Sequence, residues 1–280
     1  MSIGLTSTEQ HIAIEQANRF PRDLEIIYII ARNTFREHVR DRVFINLVLF
    51  ALLMIGAALF LGELSAAQET KIIIDLGLSA TLLIGTSIAI LLGVGLVSKD
   101  VERRTLHTVL ARPISRNHFI AGKYLGLCVT LVVNVLACAA GFVVVLARQE
   151  LTATQSLQVA LASALIFLEL TTIVSLAMFF STFSTPAMSA LFSFALVLIG
   201  HFNAELAALG HQSPNIAARV VLDALYYLLP NFDRFSSTAT DILAAKITGR
   251  QVFAAALYSL AYGCALVAAA ACVFARKDLR

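Results

Sequence analysis

Lys99–Gly126 reads KDVERRTLHTVLARPISRNHFIAGKYLG and is the longest charged segment between two membrane-length apolar runs. Read as a helix from Val101 to Ala111, it has two faces. At 100° per residue, Val101, Thr105, Leu106, Val109 and Leu110 share one half-circle with Glu102, and Arg103, Arg104, His107 and Thr108 take the other. Asp100 and Glu102 fall in the first turn and Arg112 just past the last, as the helix dipole favours. Pro113 disfavours helical geometry at Arg112, and Ser115 can cap a second helix, opening at Arg116, that runs into the next apolar span. The pattern predicts a short amphipathic helix across the mouth of two spans, offering its apolar stripe to something outside the lipid. The plain alternative is a solvated connecting loop.

Outward from that stretch the chain is apolar. Of 280 residues, 59% are hydrophobic and 14% charged, and mean hydropathy is +0.82. Soluble domains carry nearer a quarter charged residues, so a polytopic membrane protein is the class that fits. The formal net charge of +3, with no basic block interleaved with aromatics, argues against nucleic acid as a partner. Cys128, Cys138, Cys264 and Cys272 all lie in apolar runs without CxxC spacing and read as small buried residues. No secretory signal peptide is expected, because the charge-bearing residues 1–42 precede the first apolar run.

Residues 1–22 are polar and mixed, and are expected to form a cytoplasmic tail ahead of a single membrane domain, 23–280. From Asp23 to Arg42 the pattern turns helical: Leu24, Tyr28, Ala31, Phe35 and Val39 share an arc, with Arg32, Arg36 and Arg40 in a row beside it. That suits a helix in the membrane interface with its arginines at anionic headgroups of the lipid bilayer. A helix packed on another cytoplasmic subunit would carry the same pattern. Six spans are predicted, at about 43–61, 76–97, 124–147, 157–180, 186–206 and 252–275, each long enough at ~1.5 Å per residue. Only Ser181–Thr185 separates the fourth from the fifth, which predicts a tight hairpin. Basic residues concentrate before the first span, in the 99–123 loop and after the last span, so that side and both termini are expected to be cytoplasmic. Residues 207–251 form the one large external segment, with a helix predicted over Asn215–Leu229. The expected fold is thus all-α: six transmembrane helices, an N-terminal interfacial helix, a short amphipathic cytoplasmic helix and an external helical segment before the last span.

Several clusters in order carry a resemblance: Glu102, Arg104-Thr105-Leu106, Val109-Leu110, Pro113-Ile114-Ser115-Arg116 and Gly122-Lys123-Tyr124-Leu125-Gly126. Together they resemble the cytoplasmic loop of type 2 ABC transporter permeases, and more closely the branch labelled as permeases for multicopper-enzyme maturation. Ser181-Thr182-Phe183, Gly200-His201 and Leu229-Pro230-Asn231 resemble the same branch. The resemblance implies an exporter subunit in the plasma (inner) membrane, working with a second permease copy and a separate ATPase subunit. ATP and Mg would sit on that ATPase, and this chain would hold no cofactor. It implies that the loop, Val101 to Arg116 with Arg112 inside it, docks on the ATPase. It also implies that the helix before the first span is an elbow helix and that the second and fifth spans line the path, with Ser87, Ser193 and His201 as candidates. Copper does not follow from the label, because the four methionines do not cluster.

The search for catalytic chemistry is negative. There is no GxxxxGK[ST] phosphate loop and no HExxH, and of the six histidines only His201 lies within a predicted span. Glu169 falls in the middle of the fourth span, where a charge costs ~2.5–3.5 kcal/mol on insertion scales. It is expected either to contact cargo or a proton, or to bond across helices to a group such as Asn134. His201 carries the same two readings. In the last span Ala261, Ala265 and Ala269 are expected to admit a close helix neighbour, and Gly122 and Gly126 form a GxxxG at the membrane edge. A stand-alone proton-coupled transporter using Glu169 is the alternative function, and an intramembrane enzyme a third.

Overall fold

The computed structural model describes residues 7–63, 69–102, 116–146, 153–212, 216–243 and 249–276, and every element among them is an α-helix. In order these are α1 (Ser7–Val39), α2 (Arg42–Glu63), α3 (Glu69–Glu102), α4 (Arg116–Leu146) and α5 (Ala153–Ser181). Then come α6 (Pro186–His201), α7 (Asn203–Gln212), α8 (Ile216–Leu228), α9 (Asp233–Leu243) and α10 (Gly249–Arg276). Among the described residues four stretches are long and apolar enough to cross a membrane: Thr70–Gly95, Asn117–Val143, Thr154–Ser181 and Gly249–Phe274. Val48–Ala57 and Pro186–His201 are shorter apolar helices. The chain is an all-α polytopic membrane protein.

α5 is the hub, packing against α3, α4, α6, α9 and α10. Its residues Glu169 to Met178 are all buried, almost three turns with no face left to solvent or lipid. The sequence lacks the single apolar stripe of a peripheral helix, and the hydroxyls of Thr171, Thr172 and Ser175 are bonded to carbonyls three or four residues back, so they can be buried on every side. Its partners approach closely where they carry small residues. A Cβ on Gly93 of α3 would stand 2.7 Å from the Ala177 Cβ, and Ser181 at the end of α5 donates to the Val94 carbonyl at 2.8 Å. The α5–α6 hairpin is as tight as predicted, with Thr182 and Ser184 donating backbone bonds to Phe179 and Phe180.

Several expectations change. The N-terminal helix extends back from Asp23 to Ser7, through the stretch expected to be a tail, because Glu, Gln and Ala there are polar or small and still good helix formers. Its buried face is Ile27-Ile30-Ala31-Thr34-His38, laid along α4, while Leu24, Tyr28, Arg32, Arg36 and Arg40 are exposed. The crossing explains the GxxxG. A Cβ on Gly122 would come within 2.8 Å of the Ile30 Cβ, and one on Gly126 within 2.6 Å of the Ala31 carbonyl oxygen. In α10 the alanine stripe predicted to pack is not the packing face, since Ala261 and Ala265 are exposed. Ala255, Ser259 and Gly263, at the same four-residue spacing on another face, are the small residues turned inward. The predicted fifth span, 186–206, is interrupted: α6 ends at His201 and α7 starts at Asn203.

Candidate functional site

Glu169 lies in the fully buried stretch of α5 and is 1% exposed. Its partner is His201, not Asn134. His201 Nε2 stands 2.9 Å from Glu169 Oε1, with the oxygen off the line of the ring N–H, a close charge contact rather than a straight hydrogen bond. The Asn134 amide is also buried but makes no hydrogen bond among the described residues. Geometry accounts for the choice of partner, because His201 is the last residue of α6 and that helix packs its Ser189-Ser193-Val197-Gly200 face inward beside α5.

The other ring nitrogen limits the protonation of the pair. His201 Nδ1 lies 2.9 Å from the Val197 carbonyl oxygen, which can only accept, so Nδ1 carries a proton. At 2.9 Å the Nε2 lone pair and a carboxylate lone pair would repel, so one further proton resides between the two groups. Whether it is on the acid or on the ring, the pair is neutral overall. An acid can therefore sit inside an apolar helix bundle without a net buried charge.

His201 also marks where two resembling clusters meet. Its ring stacks on Phe232, with centroids 5.7 Å apart. The Gly200 carbonyl accepts the Phe232 N–H at 3.0 Å, and a Cβ on Gly200 would strike the Pro230 carbonyl oxygen and the Phe232 ring. Only glycine admits the Pro230–Phe232 segment so near the α6 backbone. Asn231 N–H donates to the Tyr258 hydroxyl of α10 at 2.8 Å, and Arg234 lies over the Tyr258 ring. Phe232 and Phe235 are both wholly buried, so the segment opening α9 is inserted among α5, α6 and α10. The break in the fifth apolar run is thus occupied by this insertion.

Beside the pair, a cleft of about 900 Å³ runs between α3, α5 and α9. Its mouth, at the ends of α3 and α5 remote from residues 103–115, is polar, with Lys71, Asp75, Gln155 and Gln158. Its walls mix apolar side chains, Leu78 and Leu82 from α3, Leu165 and Ile166 from α5, and Phe235 and Leu243 from α9, with the hydroxyls of Ser79, Ser236 and Thr240. Glu169 lines its inner end, roughly 21 Å along α5 from Gln155. Of the four path candidates, the structure joins Glu169 to His201 but leaves Ser87 and Ser193 apart. Both serines bond to carbonyls four residues back in their own helices, at 3.0 and 2.6 Å, and neither lines the cleft.

The loop that the sequence singles out lies mostly outside the described residues. That holds for Arg104, Thr105, Leu106, Val109, Leu110, Arg112, Pro113 and Ser115. Val101 and Glu102 are the last residues of α3, and Arg116 the first of α4. The base from which the loop springs is described. Phe119 of α4 stacks on Phe274 of α10 at 6.3 Å, Lys123 lies over the Phe119 ring, and α1 clasps Gly122 and Gly126. His118 approaches Asp23 of α1 at 3.7 Å. No group of metal-binding side chains occurs among the described residues.

Sequence reasoning named Glu169 and His201 separately and missed their contact, along with Phe232 and Tyr258. The available signal was that Gly200-His201 and Leu229-Pro230-Asn231 belong to one resemblance.

The bundle thus has a hub helix, a helix clasped at its edge and a short helix inserted before the last apolar helix. The sequence matches the family model described as ABC-2 family transporter protein over residues 28–279, and the chain belongs to that family. It is a membrane subunit of an ABC transporter, a transport component rather than a catalyst. The match is to the family as a whole and does not single out the maturation branch, and it does not favour a stand-alone proton-driven transporter. No individual curated protein matches the chain.

Proposed function

We propose that this chain is the permease of an ABC exporter, inserted by six spans in the plasma (inner) membrane with both termini in the cytoplasm. It works with a second permease copy and a separate ATPase subunit, which binds ATP and Mg. The segment Val101–Arg116 is the docking element, and Arg32, Arg36 and Arg40 of α1 lie at the lipid headgroups. Family membership over residues 28–279 carries this reading.

The packing suits the mechanism. A push on the loop is delivered to the ends of α3 and α4, and both helices pack directly on the hub α5. α5 in turn bears Glu169, which touches the end of α6 through His201. Movement at the ATPase would thus reach the inserted Pro230–Phe232 segment through rigid, close-packed helices.

Leu110→Asp tests the docking surface. Burying a leucine contributes about 1.5–3 kcal/mol and an unpaired carboxylate in a desolvated contact costs several more. A loss of even ~4 kcal/mol weakens association roughly a thousandfold. Co-purification with the ATPase and transport-coupled hydrolysis should both be lost in Leu110→Asp and kept in His107→Ala, on the opposite face. Normal co-purification of Leu110→Asp would return the loop to a solvated connector.

A further inference from the structure

We propose that the cleft between α3, α5 and α9 is a binding site for an elongated organic cation, with its apolar body between the helices and its ammonium against Glu169. A volume of about 900 Å³ is within the range of sites that enclose drug-sized molecules. Apolar walls with a few polar groups at defined points are the usual chemistry of such sites. Here the charged groups are at the two ends, with the hydroxyls of Ser79, Ser236 and Thr240 between them. At the mouth Lys71 and Asp75 stand one helical turn apart with opposite charges, so neither sign of ligand is repelled on entering. At the inner end the lining has an acid and no fixed cation, because His201 is behind the carboxyl group and does not line the cleft.

The acid is equipped to receive a donor. Oε1 is held by the imidazole, and Oε2 has no hydrogen-bond partner among the described residues. The side chain is 2% exposed, so an ammonium that reached it, binding the form with the shared proton on the His201 ring, would meet a carboxylate with little competing water, where a charge-assisted bond is strongest. An anion would place its charge against the same carboxylate, and a lipid acyl chain would bring a methyl end to the most polar point of the interior. The distance from mouth to acid, about 21 Å, selects a long or polycyclic body over a small amine. That the occupant is cargo rests on the exporter reading. The binding does not, and it is measured without an ATPase.

The probes are rhodamine 6G, a polycyclic cation whose charge is carried on N–H groups, and fluorescein, an anion on the same ring framework. Each is titrated by fluorescence polarisation into the full chain in lipid nanodiscs, with empty nanodiscs of the same composition subtracted. Saturable binding of rhodamine 6G, and at least tenfold weaker binding of fluorescein, is expected. Glu169→Gln keeps the side-chain shape and should weaken rhodamine 6G on the order of tenfold or more, the loss of a charged hydrogen bond. Ala239→Phe, on the cleft side of α9 and away from the acid, should abolish binding by filling the space while leaving the melting temperature near that of the parent chain. If Glu169→Gln does not fold, Ala239→Phe and the dye comparison still decide. Equal affinity for the two dyes, no saturable cation binding, or unchanged binding in folded Ala239→Phe overturns the site. Failure of this binding leaves the Leu110→Asp experiment, and with it the exporter reading, untouched.

Discussion

The two ends of the helix bundle are held by different forces. Near the loop the contacts are close and apolar: Gly93 against Ala177, Gly122 and Gly126 under α1, and Phe119 on Phe274. From the middle of α5 toward the remote end polar contacts are added, Glu169 to His201, Gly200 to Phe232 and Asn231 to Tyr258, around an open cleft and beside the close packing of Gly77 on Phe142. Close apolar packing resists deformation in every direction, because any displacement opens voids or forces overlap. A few directional bonds resist only until they are exchanged for others. The contrast sets a stiff base that can carry a push against a region around the cleft whose directional bonds can be exchanged.

Three substitutions probe that contrast. The largest effect is expected at His201→Ala, which leaves the Glu169 carboxyl buried without its partner. About 3 kcal/mol of stability should be lost, read by unfolding in mixed detergent micelles. In a double-mutant cycle Glu169→Gln should cost much less once His201 is already absent. A cost below about 0.5 kcal/mol for His201→Ala would mean that the pair does not lock the remote end at all.

Next is Gly126→Val at the base. Its Cβ would lie 2.6 Å from the Ala31 carbonyl oxygen and 2.7 Å from the Thr34 Cβ, where one neighbour is backbone and cannot turn aside. Overpacking of this kind costs about 2 kcal/mol, and α1 should become open to proteolysis while the rest of the bundle stays closed. Uniform proteolysis along the chain would show that the base is not a separate, stiff unit. The smallest effect, about 1 kcal/mol, is expected for Tyr258→Phe, which removes the acceptor of the Asn231 N–H at 2.8 Å. Because it loosens the inserted segment alone, hydrogen exchange should rise over residues 229–235 and not over α1. A matching rise in α1 would erase the distinction between the two ends.

Much of the architecture was present in the amino-acid order. Runs of apolar residues of membrane length set the helices, and four of the six predicted spans fall in helices long and apolar enough to cross a membrane. The exposed arginine row of α1 and the α5–α6 hairpin were equally readable, since both depend on periodicity or on local chain stiffness. Glu169 stood out because an acid amid apolar residues is anomalous whatever surrounds it. Tertiary structure decided what sits beside it. Thirty-one positions separate Glu169 from His201, and helical periodicity describes only the neighbours within a turn or two. The same limit explains the alanine stripe. Ala261-Ala265-Ala269 and Ala255-Ser259-Gly263 are equivalent as patterns, and only the position of α5 and α4 selects the second. The break after His201 has the same origin: nothing in Gly200-His201-Phe202 must end a helix, but a glycine there leaves room for Phe232, and the incoming backbone takes the Gly200 carbonyl. Local sequence determined which segments are helices, and contacts between residues far apart in the chain determined which of their faces carry the site.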